Sequence, residues 1–213
     1  MIYYFYNYIM RKVGFDRQIN RFLHSQISAS DEHQKIIEFG CGTGITGLTL
    51  LQIFPNAELV ATDIKDRFLN RLGANAERLK IDDERITLAI SDISSPNEVR
   101  DLSGEDLSHH EERYDIICAG ANIGYASTPE SSIAELYELL KPGGIIVNLE
   151  MSKRPMGRLI SALYGYPMID QTTFERLAET HGARVTVSKV PMEYFPLSST
   201  RTLILIEKPH TEH

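Results

Sequence analysis

Residues 36–51 place an apolar run (Ile36, Ile37), an acid (Glu38), three alternating glycines (Gly40, Gly42, Gly44) and a second apolar run (Ile45 to Leu51) in immediate succession. The order predicts a strand, a tight turn and a helix. Glycines let a backbone turn sharply and approach a ligand with no Cβ in the way. The segment therefore predicts an α/β fold with a nucleotide-type binding edge at the end of its first core strand.

The rest of the chain repeats this rhythm. Strands are expected over 36–40, 58–62, 86–91, 114–119, 144–149, 184–190 and 201–207, and helices over 45–53, 65–79, 131–140 and 172–181. The first five strands are near-continuous apolar runs, as in parallel strands buried on both faces. Such alternation predicts an open sheet with helices on both faces and right-handed crossovers. Residues 94–113 are polar and acidic and read as a short helix and a solvated loop. Residues 151–171 follow the fifth strand and carry an apolar stripe at Met156, Leu159, Ile160 and Leu163. A helix there either covers a ligand or packs in the core.

With 213 residues the chain has the length of one domain. A net charge of -7 argues against a nucleic-acid backbone as partner. Two cysteines make no disulfide framework, and a reducing cytoplasm is the simpler expectation. Tyr3, Tyr4, Phe5, Tyr6 and Tyr8 crowd the N-terminus. The ten uncharged residues there fall short of the ~20 that span a bilayer. Residues 1–33 read as a helical cap or lid, with peripheral membrane contact as the alternative.

Ligands of open α/β sheets bind beyond the carboxyl ends of the strands. Gly40 to Gly44 follow strand one and Asp63 ends strand two. Asp92 and Ile93 end strand three, and Gly120 ends strand four. Asp63 suits two ribose hydroxyls. Asp92 suits an adenine amino group, with Ile93 against the ring. Asp92 also suits a helix N-cap, Glu38 a satisfied buried acid, and Cys41 a small packed site.

Glu38 to Gly44 resembles the first motif of the class I S-adenosylmethionine-dependent methyltransferases. Ala61 to Ile64 resembles their second motif, Ser91-Asp92-Ile93 their third, and Leu139 to Gly144 the turn before their fifth strand. Over residues 34–208 this resemblance implies a Rossmann-like sheet of seven mostly parallel strands, the last antiparallel beside the fifth. It implies S-adenosyl-L-methionine as cofactor, with Glu38, Gly40, Cys41, Gly42, Gly44, Asp63, Ile64, Asp92, Ile93 and Gly120 at its site. A NAD-dependent oxidoreductase is the competing enzyme, through a loose glycine pattern at Gly42, Gly44 and Gly47. A non-catalytic S-adenosylmethionine sensor or partner subunit is the reading from a different class.

The Pro-Pro signature of many base and glutamine methyltransferases is absent after strand four, where Gly120 to Tyr125 stand. Tyr6 to Met10, Gly14 to Arg17 and Leu149 to Pro155 are similar to the ubiquinone/menaquinone-biosynthesis C-methyltransferases. The resemblance implies a small, apolar or lipid-like acceptor, with 151–171 as a substrate-side insertion. Tyr6, Tyr125, Glu150 and Tyr164 are the candidate acceptor residues. His109 and His110 read as surface groups, no catalytic base stands out, and no metal-ligand spacing is present.

Overall fold

The structure, a computed structural model, describes residues 12–107 and 113–210. Eight strands form one sheet: β1 (Lys35–Phe39), β2 (Glu58–Thr62), β3 (Ile86–Ser91), β4 (Val99–Asp101), β5 (Tyr114–Ala119), β6 (Leu140–Met151), β7 (Arg184–Lys189) and β8 (Arg201–Glu207). Their order across the sheet is β4-β3-β2-β1-β5-β6-β8-β7. The pairs from β3 through β6 are parallel, whereas β4 runs against β3 and β8 against both β6 and β7. The expected antiparallel last strand beside the fifth is therefore present.

Helices α1 (Phe15–Gln26), α2 (Ile45–Ile53), α3 (Asp66–Leu79), α4 (Pro129–Leu139), α5 (Pro155–Tyr164), α6 (Gln171–His181) and the single turn α7 (Leu197–Thr200) accompany the sheet, with short 3-10 turns at Asp83–Arg85, Ile123–Tyr125 and Met192–Tyr194. Successive strand residues feed opposite faces of the sheet. Ile36, Ile116 and Val147 pack with α1, α2 and α3 through Phe22, Leu48 and Leu72. Ile37, Ile117 and Ile146 pack with α4 and α6 through Leu136 and Phe174. Helix α2 is apolar nearly all round because the sheet covers one side and α1 the other. Asn20 of α1 donates to Gln52 of α2 at 2.7 Å.

Two expectations are corrected. The sheet has eight strands rather than seven. The extra one, β4, lies inside the polar stretch that reads as helix and loop. Its three residues are too few to show periodicity, and the edge of β3 recruits them. Asp101 closes the turn that follows by accepting from the Ser103 and Glu105 amides at 2.9 and 2.7 Å. Strand β6 also begins before the Lys141 to Gly144 turn, which is absorbed as an irregularity against β5. Lys141 Nζ donates to both Asp115 oxygens there at 2.9 Å.

Among the described residues no helix is long and apolar enough to cross a membrane. Strand order reverses at β1, flanked by β2 on one side and β5 on the other. A crevice opens at such a switch point, beyond the carboxyl ends.

Candidate functional site

The chain leaves β1 at Gly40, whose φ is +63°. A Cβ at Gly40 would lie 2.5 Å from Asn122 Nδ2, so only glycine lets the loops after β1 and β5 meet. The loop is tied to β2 by the Cys41 amide, which donates to Thr62 O at 2.8 Å. Asp63 then clamps it. Its Oδ2 accepts the Gly42 amide and its Oδ1 the Lys65 amide, each at 3.0 Å. A carboxylate offers about four acceptor sites, so further acceptor capacity remains on Asp63.

Glu38 lies beneath the loop. Its Oε2 accepts the Gly47 amide at 3.1 Å, and a Cβ at Gly47 would sit 2.5 Å from that oxygen. Gly47 thus packs on an acid, which accounts for the third glycine without a pyrophosphate. Burial raises the Glu38 pKa to about 8; the Gly47 amide opposes the shift and the Asp63 charge adds to it. Burial raises Asp63 too, offset by the Lys65 and Gly42 amides. Burial also pushes the Cys41 and Cys118 thiols up, so neither is an activated nucleophile.

A cleft of about 1310 Å³ opens above these strand ends. Of the residues expected at the site, Gly40, Gly42, Asp63, Ile64, Asp92, Ile93, Gly120, Tyr125 and Tyr164 line it. Asp92 takes the Ser94 amide on Oδ1 at 2.8 Å. Glu38, Cys41 and Gly44 stand behind the lining. So does Glu150, which is 4 % exposed. Tyr6, His109 and His110 lie outside the described residues. No cluster of three metal-ligating side chains occurs among the described residues.

Glu150 acts on the cleft through Tyr166. Its oxygens accept the Met151 amide at 2.8 Å and Asn148 Nδ2 at 3.2 Å, and Tyr166 also hydrogen-bonds to it. The Tyr166 oxygen accepts the Gly124 amide at 3.1 Å. Tyr166 meets the Tyr125 ring edge-on at 5.0 Å, and Tyr125 donates to Tyr164 O at 3.2 Å. The wall formed by Tyr125 and Tyr164 is therefore braced from below.

Asn122 and Arg201 went unnoticed in the sequence as lining residues, whereas Phe15 and Asp16 fall in the Gly14 to Arg17 segment and Met151 and Ile160 in residues 151–171, both singled out there. Asn122 sits just past the end of β5, where the carboxyl-end rule would have found it. Nothing local marks Arg201. Helix α5 is not core packing in the main: Met156, Leu159 and Leu163 are 47, 61 and 40 % exposed, and Ile160 alone of the stripe is buried.

The lining fits S-adenosylmethionine. Gly40 and Gly42 bring bare backbone to the cleft, and Asp63 and Asp92 face it with acceptor oxygens. The buried polar atoms Asn122 Oδ1 and Ser91 Oγ, both on cleft-lining residues, have no hydrogen-bond partner among the described residues. Buried polar atoms of this kind call for a ligand or water.

A family model described as a methyltransferase domain matches residues 37–146. A malonyl-[acyl-carrier protein] O-methyltransferase from Priestia megaterium is 29 % identical over 127 residues, 59 % of this chain and 40 % of that protein. A ubiquinone/menaquinone biosynthesis C-methyltransferase from Dinoroseobacter shibae is 27 % identical over 140 residues, covering 64 % of this chain and 50 % of the relative. The matched segments thus span half or less of these curated relatives. The solved CurJ carbon methyltransferase superposes with a TM-score of 0.64 at 20 % identity, covering 86 % of this chain and 50 % of that one. That likeness speaks to the fold.

Proposed function

The chain belongs to the methyltransferase-domain family of S-adenosylmethionine-dependent enzymes, and from that premise we propose that it transfers a methyl group to a small, apolar or lipid-like acceptor. The observation that carries this reading is the two-ended cleft. One end is built from glycine-loop backbone and the acids Asp63 and Asp92, the other from Phe15, Met151, Ile160, Leu163 and Tyr164.

Bound S-adenosylmethionine would supply an electrophilic methyl on a sulfonium sulfur. Gly40, Gly42 and Asn122 would hold its methionine part, Asp63 the ribose, and Asp92 with Ile93 the adenine. Glu38 would serve from behind, by fixing the start of α2. The acceptor end supplies orientation and exclusion of water. Positioning of this kind accounts for much of the rate of a displacement. A base is needed only where the acceptor must lose a proton, and the lining assigns none.

Residues 1–33 are proposed to cover the acceptor end, supported by Phe15 and Asp16 of α1 in the lining. Residues 34–208 form the catalytic core in this scheme, and 151–171, which contains α5, the substrate-side insertion. The malonyl-[acyl-carrier protein] and quinone-pathway names of the relatives agree with an acyl or lipid-like acceptor.

Calorimetry with S-adenosylmethionine and S-adenosylhomocysteine, followed by an acceptor screen with radiolabelled methyl donor, tests the proposal. Binding of neither ligand at submillimolar concentration would sink the donor assignment. Binding without transfer to any quinone, acyl or lipid acceptor would point to a sensor.

A further inference from the structure

Strand β8 runs against β6, so its first residue, Arg201, pairs with Met151 and comes to the same sheet edge as the carboxyl ends of the parallel strands. A cation from late in the chain is thereby delivered to the cleft wall. Its guanidinium carbon lies 5.4 Å from the Phe15 ring centroid. Its Nη1 donates to Thr200 O at 3.2 Å and lies 2.9 Å from Met151 Sδ. These contacts fix the side chain at the apolar end of the cleft, beside Phe15 and Met151.

Resting on the acceptor reading above, we propose that Arg201 binds an oxyanion, carboxylate or phosphate, at one end of the acceptor, whose apolar body lies along Phe15, Met151, Ile160 and Leu163. A guanidinium presents planar paired donors matched to either group, and charge-assisted bonds in a poorly hydrated wall are strong. The nearby Glu150 is already served by the Met151 amide, Asn148 and Tyr166. Burial raises its pKa and the Arg201 charge opposes that shift, so the two groups already feel each other. Lys65, Arg67 and Arg71 line the cleft too, but they are exposed on or beside α3, whereas Arg201 is half-buried. Asp16 of α1 is a further carboxylate on the same lining.

The test uses the full chain saturated with S-adenosylhomocysteine and titrated with octanoate, octyl phosphate and octanol. The expected result is that at least one of the two anions binds about tenfold more tightly than octanol. Arg201→Gln removes that preference, Arg201→Lys keeps part of it, and Arg67→Gln leaves it intact. Which anion wins identifies the headgroup. Octanol binding as tightly as both anions overturns the proposal, as does an anion preference that survives Arg201→Gln. Failure of all three probes to bind overturns it as well. Thermal unfolding and S-adenosylhomocysteine affinity of each variant verify the fold and the donor site. Loss of S-adenosylhomocysteine binding in the unaltered protein would instead refute the methyltransferase reading itself.

Discussion

Tyr166 hydrogen-bonds to the buried Glu150 carboxylate, and its oxygen also accepts the Gly124 amide at 3.1 Å. One phenol thus joins β6 to the turn after β5, and Tyr125 leans on its ring. Tyr166→Phe leaves the carboxylate and the amide each short of a partner. The expected loss is about 1–3 kcal/mol in chemical denaturation. An unchanged unfolding midpoint would show that the two groups find other partners.

Asp63 receives two backbone amides and is proposed to receive the cofactor ribose as well. Asp63→Asn keeps the shape and removes the charge. S-adenosylhomocysteine affinity measured by calorimetry should fall by about 1–3 kcal/mol. Unaltered affinity, with stability lowered, would make Asp63 a structural clamp only.

Gly40 and Gly73 offer a matched pair. Alanine at Gly40 combines a positive φ with a Cβ 2.5 Å from Asn122 Nδ2, whereas Gly73 sits within α3 with nothing within 4 Å. Gly40→Ala should destabilise by more than about 1 kcal/mol and weaken cofactor binding. Gly73→Ala should stabilise by about 0.5–1 kcal/mol. Urea unfolding of both variants decides, and equal behaviour would refute the close approach.

Glu38 has a folded pKa of about 8 against an ordinary 4.5. The neutral form is favoured in the folded protein. Its contribution to stability is fully present below about pH 4.5 and is lost as pH rises through about 8. Asp63 is shifted in the same direction. Stability of the ligand-free protein should therefore fall from pH 5 towards pH 8, and Glu38→Gln should flatten the slope. A steep slope that persists in the variant would assign it to other groups.

Local pattern determined most of the elements. Near-continuous apolar runs and glycine or proline punctuation placed β2, β3, β5, β8 and α2 at their observed bounds, because the burial of each is dictated by its own residues. The acids at the ends of β2 and β3 were legible for the same reason: a strand's carboxyl end is a local position. Strand β4 was not legible, since three polar residues become a strand only when a neighbouring edge offers unpaired backbone.

The donor end of the cleft was thus present in the sequence, whereas the acceptor end was legible only in part, through Tyr125, Tyr164 and residues 151–171, and was completed by the tertiary structure. Phe15, Met151 and Arg201 come from three separate elements with no shared spacing. They meet because strand order reverses at β1, because α1 packs on α2, and because β8 inserts antiparallel beside β6. Glu150 shows the same division. Its position at the end of a strand suggested direct contact with the acceptor, but burial beneath Tyr166 makes it a brace. Side-chain direction at a strand end depends on what packs above it, and only the assembled fold supplies that.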